Sequence, residues 1–299
     1  MSDNFENFIM QCCKAPEWEL RKFLKKILGR AGFSFVEDDY MSERVRENSK
    51  YASVHNLLAV RGESPRVCLV AHTDVCRDHD NKARKATLSY IKVNKEENES
   101  VLEVNPIIST TDIEIDGVMK EMRIITDNGN KVQVGGDDRL GVAINTWIAI
   151  NTGYDMGLLF TTDEEIGLKS ARYVKMPELK QFDLMVQVDR GNNTDELVTK
   201  IGSTELCSKN TAIKLLEIAY DLNLPRKPVV GYSTDVVAMK DNNVIKEAVN
   251  MTCGYHNSTS DNPNEYILID EAKDTLKYVA GIVRHYYLTA PLNQPITIE

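Results

Sequence analysis

Residues 158–167 read LLFTTDEEIG, and this stretch decides how the rest of the chain is interpreted. The apolar run 158–160 predicts a buried strand, and the segment 168–174 beyond the acidic residues is compatible with a helix. Glu164 and Glu165 would then lie at the carboxyl end of a strand, which is where open α/β sheets bind their ligands. The alternative is a solvated loop, because carboxylates are also favoured near a helix N-terminus.

The composition limits the classes of protein to consider. The chain has 299 residues, of which 42% are hydrophobic and 27% charged, as is typical of a soluble globular protein large enough for one or two domains. The formal net charge of -9, with no basic stripe, argues against nucleic acid as a main partner. No apolar run approaches the roughly 20 residues of a membrane span, so we expect no membrane contact.

The cysteines and the first residues bear on the cellular compartment. The six cysteines are irregularly spaced and form no CxxC pair. The chain opens with the polar, acidic segment 1–4 and not with a signal peptide. We therefore expect free thiols in a reducing, cytoplasmic setting.

Apolar segments along the chain alternate with helical patterns. Strands are predicted at 67–71, 158–160, 182–188 and 244–251, and helices at 5–31 with a break at Pro16, at 142–150, at 208–223 and at 270–287. This alternation predicts an α/β fold, a three-layer α/β/α sandwich with a mostly parallel central sheet. Residues 77–134 predict a β-rich insertion, with a hairpin at 114–126 that turns at Asp116-Gly117. In the third of these helices, the spacing predicts that Ile213, Leu216 and Tyr220 face the core.

The strand at 67–71 ends in His72-Thr73-Asp74. Imidazole is the commonest metal ligand, and a carboxylate two residues further on lies on the same side of an extended chain. Such a carboxylate can fix the tautomer of a ligating histidine. A histidine that is simply hydrogen-bonded in the core is the alternative for so short a pattern.

A second acidic segment, Gly135-Gly136-Asp137-Asp138, precedes the helix at 142–150. The glycines allow an unusual backbone and a close approach of other groups. An ordinary helix N-cap requires only one aspartate. The functional alternative is that one of the two aspartates bridges a pair of metal ions.

Two further candidates lie in the second half of the chain. Asp189 follows the strand at 182–188, and a salt bridge with Arg190 is its alternative role. His256 lies in the polar loop 254–263. Placement of this kind is how a doubly wound sheet gathers residues from distant parts of the sequence.

Taken together, the candidate segments occur in the order His, Asp, Glu, Asp, His. This chain thereby resembles the co-catalytic di-zinc exopeptidases, the group that holds peptidase T and the zinc aminopeptidases. The matching pieces are His72-Thr73-Asp74, residues 136–141 (GDDRLG), residues 163–167 (DEEIG), Val188-Asp189 and Gly254-Tyr255-His256. The resemblance spans residues 67 to about 190, resumes from about 229 to 283, and is most specific to peptidase T at residues 124–129 (IITDNG).

The resemblance implies a site for two divalent metal ions, with zinc as the first choice and cobalt or manganese as alternatives. In that arrangement Asp137 bridges both ions, and the peptide bond from Asp137 to Asp138 is strained and can be cis. The remaining ligands are His72 and Asp189 for one ion, and Glu165 and His256 for the other.

The resemblance also implies the chemistry, which is hydrolysis of a peptide or amide bond. A hydroxide that bridges the two ions attacks the carbonyl carbon. Glu164 is the general base, which takes the proton of the water and returns it to the leaving amine. Asp74 orients His72.

One feature departs from the pattern of peptidase T. Its close relatives carry a lid domain between the third aspartate and the last histidine, whereas only the 66 residues 190–255 separate these positions here. We therefore expect the lid to be absent and residues 1–299 to form a single catalytic metallopeptidase domain. Single-domain zinc aminopeptidases hold the oxyanion with a tyrosine before a Ser-Asp pair, and Tyr232 in GYSTD (231–235) is the similar residue, with a core tyrosine as its alternative.

Three functions are compatible with these residues. The first is an aminopeptidase acting on peptides, since relatives without a lid mostly act on free N-termini. The second is another metal-dependent amidohydrolase, such as a carboxypeptidase or an N-acyl amino acid deacylase. The third is a non-catalytic binding protein with a relic site, against which the complete ligand set and the base both argue. Side-chain preference, peptide length and oligomeric state are open at this point.

Overall fold

The computed structural model of the protein describes residues 5–42, 49–75, 134–193, 195–258 and 265–289, together with the strands between 86 and 126. The peptidase T-like residues 127–129 and the turn predicted at 116–117 lie outside the described residues, as do residues 259–263 of the polar loop.

The described residues contain fifteen strands and seven α-helices. The strands are β1 (Ser34–Glu37), β2 (Leu57–Arg61), β3 (Val67–His72), β4 (Ala86–Lys92), β5 (Val101–Glu103), β6 (Glu114–Ile115), β7 (Val118–Thr126), β8 (Met156–Thr161), β9 (Leu184–Arg190), β10 (Glu196–Ile201), β11 (Thr204–Glu205), β12 (Lys227–Gly231), β13 (Ala248–Thr252), β14 (Tyr255–His256) and β15 (Tyr266–Leu268). The helices are α1 (Phe5–Lys14), α2 (Glu17–Arg30), α3 (Gly136–Asn151), α4 (Lys169–Tyr173), α5 (Lys209–Asp221), α6 (Asp235–Asp241) and α7 (Ile269–Leu288). The predicted break at Pro16 is confirmed, because α1 ends before it and α2 begins after it.

Nine strands form the main sheet, in the order β1-β2-β8-β3-β9-β13-β10-β11, with β12 beside β10. Its centre is parallel, since β8, β3, β9 and β13 pair in that sense. The flanking strands pair antiparallel with this centre, β2 with β8 and β10 with β13. The predicted mostly parallel central sheet is therefore confirmed, with antiparallel strands towards both edges.

Successive side chains of the central strands alternate between two layers of helices. Leu158 and Phe160 pack in the layer of α1, α2, α3, α5 and α7, whereas Leu159 packs with α4 and α6 on the other face. These three side chains are at most 1% exposed. A strand that is buried on both faces has a continuous apolar sequence, which accounts for the run at 158–160 and confirms the three-layer arrangement.

The predicted β-rich insertion forms part of a second sheet. Strands β4 to β7 combine there with β14 and β15, in the order β14-β15-β7-β4-β5, and β6 pairs with β7. The predicted hairpin is confirmed, because Ile115 pairs antiparallel with Val118. β14 carries His256 and pairs with β15 through Tyr255 and Ile267. The second sheet therefore combines the strands of the insertion with β14 and β15, which come after the last strand of the main sheet.

The length of the segment between Asp189 and His256 predicts that it holds no lid domain. Its strands β10 to β13 all belong to the main sheet. α6 packs against β9 and β13, and α5 packs against α7. The described strands and helices of this segment thus belong to the main sheet and to the helices that cover it. The absence of a lid stays a prediction.

Helix α5 turns a different face to the core from the predicted one. Ile213 and Tyr220 are 54% and 78% exposed, so the prediction that they face the core is wrong. Leu215 and Ala219 are fully buried instead, and Leu216 is partly buried against the same core. Both sets of residues have helical spacing, so periodicity alone could not choose between them. Packing against α7 makes the choice.

Two global features bear on the expected setting. The buried cysteines Cys12, Cys13, Cys68, Cys207 and Cys253 are free thiols. Among the described residues, none of the helices combines the length and the apolar character needed to cross a membrane.

Candidate metal centre

The parallel strands β8, β3 and β9 end at the same edge of the main sheet, and their register brings candidate residues together. β3 pairs with β9 through Val70 and Gln187. Two residues further on, His72 and Asp189 lie beside each other on one face, because side chains alternate along a strand. β8 ends on the other side of β3 and leads into the loop of Glu164.

The imidazole of His72 faces three carboxylates from three parts of the chain. Its Nε2 atom lies 3.0 Å from Asp137 Oδ1, 3.6 Å from Asp189 Oδ1 and 4.0 Å from Glu164 Oε2. His72 itself is fully buried. The structure thus brings together four of the residues that the sequence singled out.

The two adjacent aspartates have different surroundings. The carboxylate of Asp138 is fully buried and accepts hydrogen bonds from the backbone N–H of His72 (3.2 Å) and of Gly141 (3.1 Å). Asp138 therefore closes the first turn of α3, as an N-cap would. The peptide bond between Asp137 and Asp138 is cis. Gly141 is required here, since a Cβ atom at this position would lie 2.2 Å from the carbonyl oxygen of Val188.

His72, Asp138 and Asp189 each offer a potential ligand atom, and these three atoms lie within 4.8 Å of one another. Asp137 is the better placed of the two aspartates, however. Both oxygens of Asp138 already accept a backbone N–H, whereas Asp137 Oδ1 lies 3.0 Å from His72 Nε2. One histidine and two carboxylates are therefore available as ligands at this edge of the sheet.

Three donors hold the carboxylate of Asp189. Gln187 Nε2 donates to Oδ2 at 2.9 Å, Thr234 Oγ1 donates to Oδ2 at 3.2 Å, and Tyr255 OH donates to Oδ1 at 3.2 Å. The donors come from three separate segments, so the position of the carboxylate depends on the fold. Arg190 pairs instead with Glu196, with 2.5 Å between Nε and Oε2.

Asp137 is held from the side of the second sheet. Ser258 Oγ donates to Asp137 Oδ2 at 3.0 Å. The carboxylate of Glu265 accepts the backbone N–H of Gly135 at 2.7 Å and that of Asp137 at 3.1 Å. Glu265 is 1% exposed, so the loop before α3 rests on a buried carboxylate.

Asp74 links His72 to the loop of the two glutamates. Nδ1 of His72 lies 3.1 Å from the backbone oxygen of Asp74 and 3.5 Å from its carboxylate Oδ1. The same carboxylate accepts the backbone N–H of Glu164 at 3.1 Å and that of Glu165 at 3.2 Å. Asp74 therefore positions both the imidazole and the loop that carries the candidate base.

Burial and neighbouring charges shift the acidity of these groups. Burial raises the pKa of Glu164 well above its ordinary value; the charge of His72 opposes this shift, and Asp189, Asp235 and Asp137 add to it. Burial also raises the pKa of Asp189 to about 6, against the charge of His72. For His72, burial lowers the pKa, but the charge of Asp189 and the hydrogen bonds to carboxylates outweigh it and leave the pKa well above its ordinary value.

Two more buried carboxyl groups near the site also have a raised pKa. Burial raises the pKa of Asp138 well above its ordinary value and that of Asp235 to about 7. Thr161 Oγ1 donates to Asp235 Oδ2 at 2.5 Å, and Oδ1 of Asp235 has no hydrogen-bond partner in the described part of the chain. An imidazole set among several carboxyl groups is a donor set that suits a divalent cation such as zinc, whose binding favours the ionised carboxylates and the neutral imidazole.

The other predicted residues make contacts of a different kind. His256 Nε2 lies 2.6 Å from Glu271 Oε2, and its ring stacks on Tyr266 with 5.0 Å between centroids. The backbone N–H of Glu165 donates a hydrogen bond to the Asp74 carboxylate. Tyr232 is 82% exposed, and the guanidinium of Arg190 lies 5.8 Å from its ring centroid.

Sequence reasoning missed the residues that hold the cluster in place. Thr234 and Tyr255 lie inside segments that the resemblance covers, so their proximity to the site was foreseeable, although their roles were not. Ser258 and Glu265 belong to no motif and no periodic pattern. The pairing of β14 with β15 brings the segments of Ser258 and Glu265 to Asp137.

Comparison with solved structures identifies the fold. The aminopeptidase PepT from Bacillus cereus superposes with a TM-score of 0.68 at 12% sequence identity, covering 94% of this chain and 98% of that one. A tripeptidase from Staphylococcus aureus gives 0.67 at 12% identity, covering 95% and 98% of the two chains. This chain therefore has the fold of these peptidases.

A second group of similar structures comes from archaea. The TET1 peptidase of Pyrococcus horikoshii, which can assemble into a tetrahedron or a large octahedral shell, has a TM-score of 0.59 at 12% identity and covers 94% of this chain and 99% of its own. The sequence matches no protein-family model and no curated protein.

Proposed function

We propose that the protein is a metal-dependent aminopeptidase. The proposal is carried by the position of His72 Nε2, which lies within 4.0 Å of carboxylate oxygens of Asp137, Asp189 and Glu164. The fold that this chain shares with an aminopeptidase of known structure supports the choice of reaction.

His72, Asp137 and Asp189 are the proposed ligands of one divalent cation, preferably zinc. Asp137 with Glu165 and His256 would hold a second. Bound cations supply Lewis acidity, which polarises a carbonyl group and makes water more acidic. The hydrogen bonds from Gln187, Thr234 and Tyr255 keep the Asp189 carboxylate in place for this task.

Glu164 is the proposed general base. Its carboxylate lies 4.0 Å from His72 Nε2, at the edge of the ligand cluster, and burial raises its pKa. A carboxylate with a raised pKa accepts a proton more readily near neutral pH. Glu164 would take a proton from the attacking water and deliver it to the nitrogen of the leaving amine.

The substrate we infer is a peptide with a free N-terminus. The fold that this chain shares with an aminopeptidase and a tripeptidase of known structure supports this choice. We place this activity in the cytoplasm, since the buried cysteines that the structure describes are free.

The test combines a base variant with a substrate screen. The zinc-loaded protein should hydrolyse aminoacyl arylamides in preference to N-acyl amino acids. Glu164→Gln should lower kcat by about 10²- to 10⁴-fold, the range expected for loss of a general base. Its zinc content, measured by mass spectrometry, should equal that of the wild type.

Glu63→Gln serves as the control, because Glu63 is exposed in a turn. Its kcat should match that of the wild type. Unchanged turnover in Glu164→Gln would show that the base is misassigned. Hydrolysis of N-acyl amino acids alone would replace the aminopeptidase with a deacylase.

A further inference from the structure

A buried ion pair lies on helix α2, close to the edge of the sheet that carries the metal centre. Arg21 and Glu17 are 4% and 0% exposed, and Arg21 Nη2 lies 3.9 Å from Glu17 Oε1. Burial lowers the pKa of Arg21 to about 10, so the guanidinium remains charged at neutral pH. Buried charges are costly unless hydrogen bonds satisfy them, so the partners of this pair indicate what it holds.

Arg21 binds the carboxyl ends of two central strands. Its Nε donates to Thr73 Oγ1 at 2.8 Å, directly after the last residue of β3. Its Nη1 donates to the carbonyl oxygen of Phe160 at 3.0 Å, and Nη2 donates to that of Thr161 at 2.7 Å, both at the end of β8. One planar guanidinium thus connects the ends of β3 and β8 in a fixed fork geometry.

Glu17 completes the connection through two hydroxyl groups. Its Oε1 accepts a hydrogen bond from Thr73 Oγ1 at 2.6 Å and another from Thr162 Oγ1 at 2.9 Å. Thr73 lies between His72 and Asp74, and Thr162 lies two residues before Glu164. The pair therefore reaches the two segments that carry the imidazole and the candidate base.

The helix that carries the pair is itself tied to the metal-binding loop. Arg139, which follows Asp138, donates from Nη1 to the carbonyl oxygens of Cys12 at 3.2 Å and Ala15 at 2.9 Å. These oxygens lie in α1 and in the break before α2. The junction of the two N-terminal helices is thus anchored from the start of α3, independently of Arg21.

We propose that Arg21 and Glu17 are positioning residues of the metal centre. They hold Thr73 and Thr162, and through them the ends of β3 and β8, so that His72 faces its carboxylate partners and the Glu164 loop keeps its place. This inference rests on the proposed metal-dependent function. The inference gives helix α2 an indirect part in catalysis. The described carboxylate oxygens within 4.0 Å of His72 Nε2 belong to Asp137, Asp189 and Glu164, which are not on α2. A displacement near 1 Å is enough to weaken a catalytic constellation.

The test uses the hydroxyl group of Thr73. Thr73→Val keeps the shape and removes the hydrogen bonds to Arg21, to Glu17 and to the carbonyl oxygen of Thr161, whereas Thr73→Ser retains the hydroxyl. Residues behind metal ligands typically contribute about 10- to 100-fold to metal affinity or activity. We expect Thr73→Val to bind zinc about 10- to 100-fold more weakly in competition with a chelator, and to lose kcat more than it changes KM. Thr73→Ser should restore both values.

Thr146→Val is the matched control. Thr146 is fully buried on α3, and its Oγ1 has no hydrogen-bond partner among the described residues. The same substitution there should leave zinc affinity and kcat unchanged. A role confined to stability would lower the thermal midpoint of Thr73→Val while its zinc affinity and kcat stayed at the wild-type level, and this result would overturn the inference.

A second variant covers the case in which Thr73→Val does not fold. Arg21→Lys keeps the positive charge but loses the fork that reaches β3 and β8 together. It should show the same combined loss of zinc affinity and kcat, and wild-type values would overturn the inference. Wild-type protein that takes up no zinc would instead remove the proposed function, and the positioning role with it.

Discussion

The two halves of the predicted metal centre differ in how far the fold assembles them. On one side, His72 Nε2 lies 3.0 Å from Asp137 and 3.6 Å from Asp189. On the other side, His256 lies 2.6 Å from Glu271, and Glu165 is tied to the centre through its backbone N–H. The first half has converging side chains, whereas the histidine of the second half already has a carboxylate partner.

The difference follows from the elements that carry the residues. His72 and Asp189 lie on neighbouring parallel strands, so the register of the sheet sets their separation. Glu165 lies in a loop, and His256 lies on β14 at the edge of the second sheet. Ordering side chains on separate, less constrained elements costs conformational entropy when a ligand binds. We therefore expect the first cation to bind more tightly than the second.

The largest expected effect belongs to the assembled half. His72→Ala should weaken the tighter zinc site by more than about 100-fold, which exceeds the loss typical for a residue behind a ligand. Activity should fall to background. Calorimetric titration with zinc measures the affinity, and His285→Ala on α7 is the control. Full zinc affinity in His72→Ala would show that the metal binds elsewhere.

A smaller effect is expected from the other half. His256→Ala should leave the tighter zinc site intact and remove one equivalent of the more weakly bound metal. Glu271→Gln, which keeps the size of the side chain but removes the charge beside His256, should change the weaker affinity by about tenfold or less. Metal content measured at increasing zinc concentration separates the two sites. Loss of the tight site in His256→Ala would contradict the division between the halves.

The acidity of the assembled half predicts a pH dependence. Metal binding needs a neutral imidazole and an ionised carboxylate, so it releases protons and strengthens as pH rises. The folded pKa of His72 lies above 6.5, and that of Asp189 is raised from 3.8 to about 6. Both pKa values are thus higher in the folded protein than in the unfolded chain. These two groups therefore favour the folded, metal-free protein at low pH, and this stability is lost as the pH rises through the folded pKa values.

The measurement is the thermal midpoint between pH 5.5 and 7.5, with zinc or with a chelator present. The stabilisation due to zinc should grow steadily across this interval. A stabilisation independent of pH would show that neither group titrates on binding.

The smallest expected effect concerns Tyr232. Oxyanion donors contribute about 10²- to 10³-fold to kcat, and the sequence suggested this role. The 82% exposure of Tyr232 and its contact with Arg190 favour a much smaller contribution. Tyr232→Phe should therefore retain most of the wild-type kcat, as measured with an aminoacyl arylamide. A hundredfold loss would establish the oxyanion role and would imply that the segment moves when substrate binds.

The sequence predicted the layers of the fold and the main candidate residues, because both depend on local signals. The run 158–160 is apolar throughout because β8 is covered on both faces. Such a run can be recognised from the sequence alone. The types of the candidate ligands, a histidine and carboxylates at strand ends, likewise indicate a metal site from their chemistry alone. The inward face of α5 could not be predicted, because two helical stripes fit the same periodicity.

The residue pattern left open which of two adjacent aspartates faces the imidazole, the resemblance implied Asp137, and the tertiary structure supplies the physical reason. Asp138 is engaged by the backbone N–H groups of His72 and Gly141, and this leaves Asp137 to face Nε2. The support from Arg21 and Glu17 and the pairing of His256 with Glu271 also join residues far apart or on different elements. Such contacts depend on how the layers pack, and no periodicity or motif in the sequence encodes a distance between them. The sequence by itself therefore determined which chemical groups are present and which strands carry them, and packing determined which groups meet.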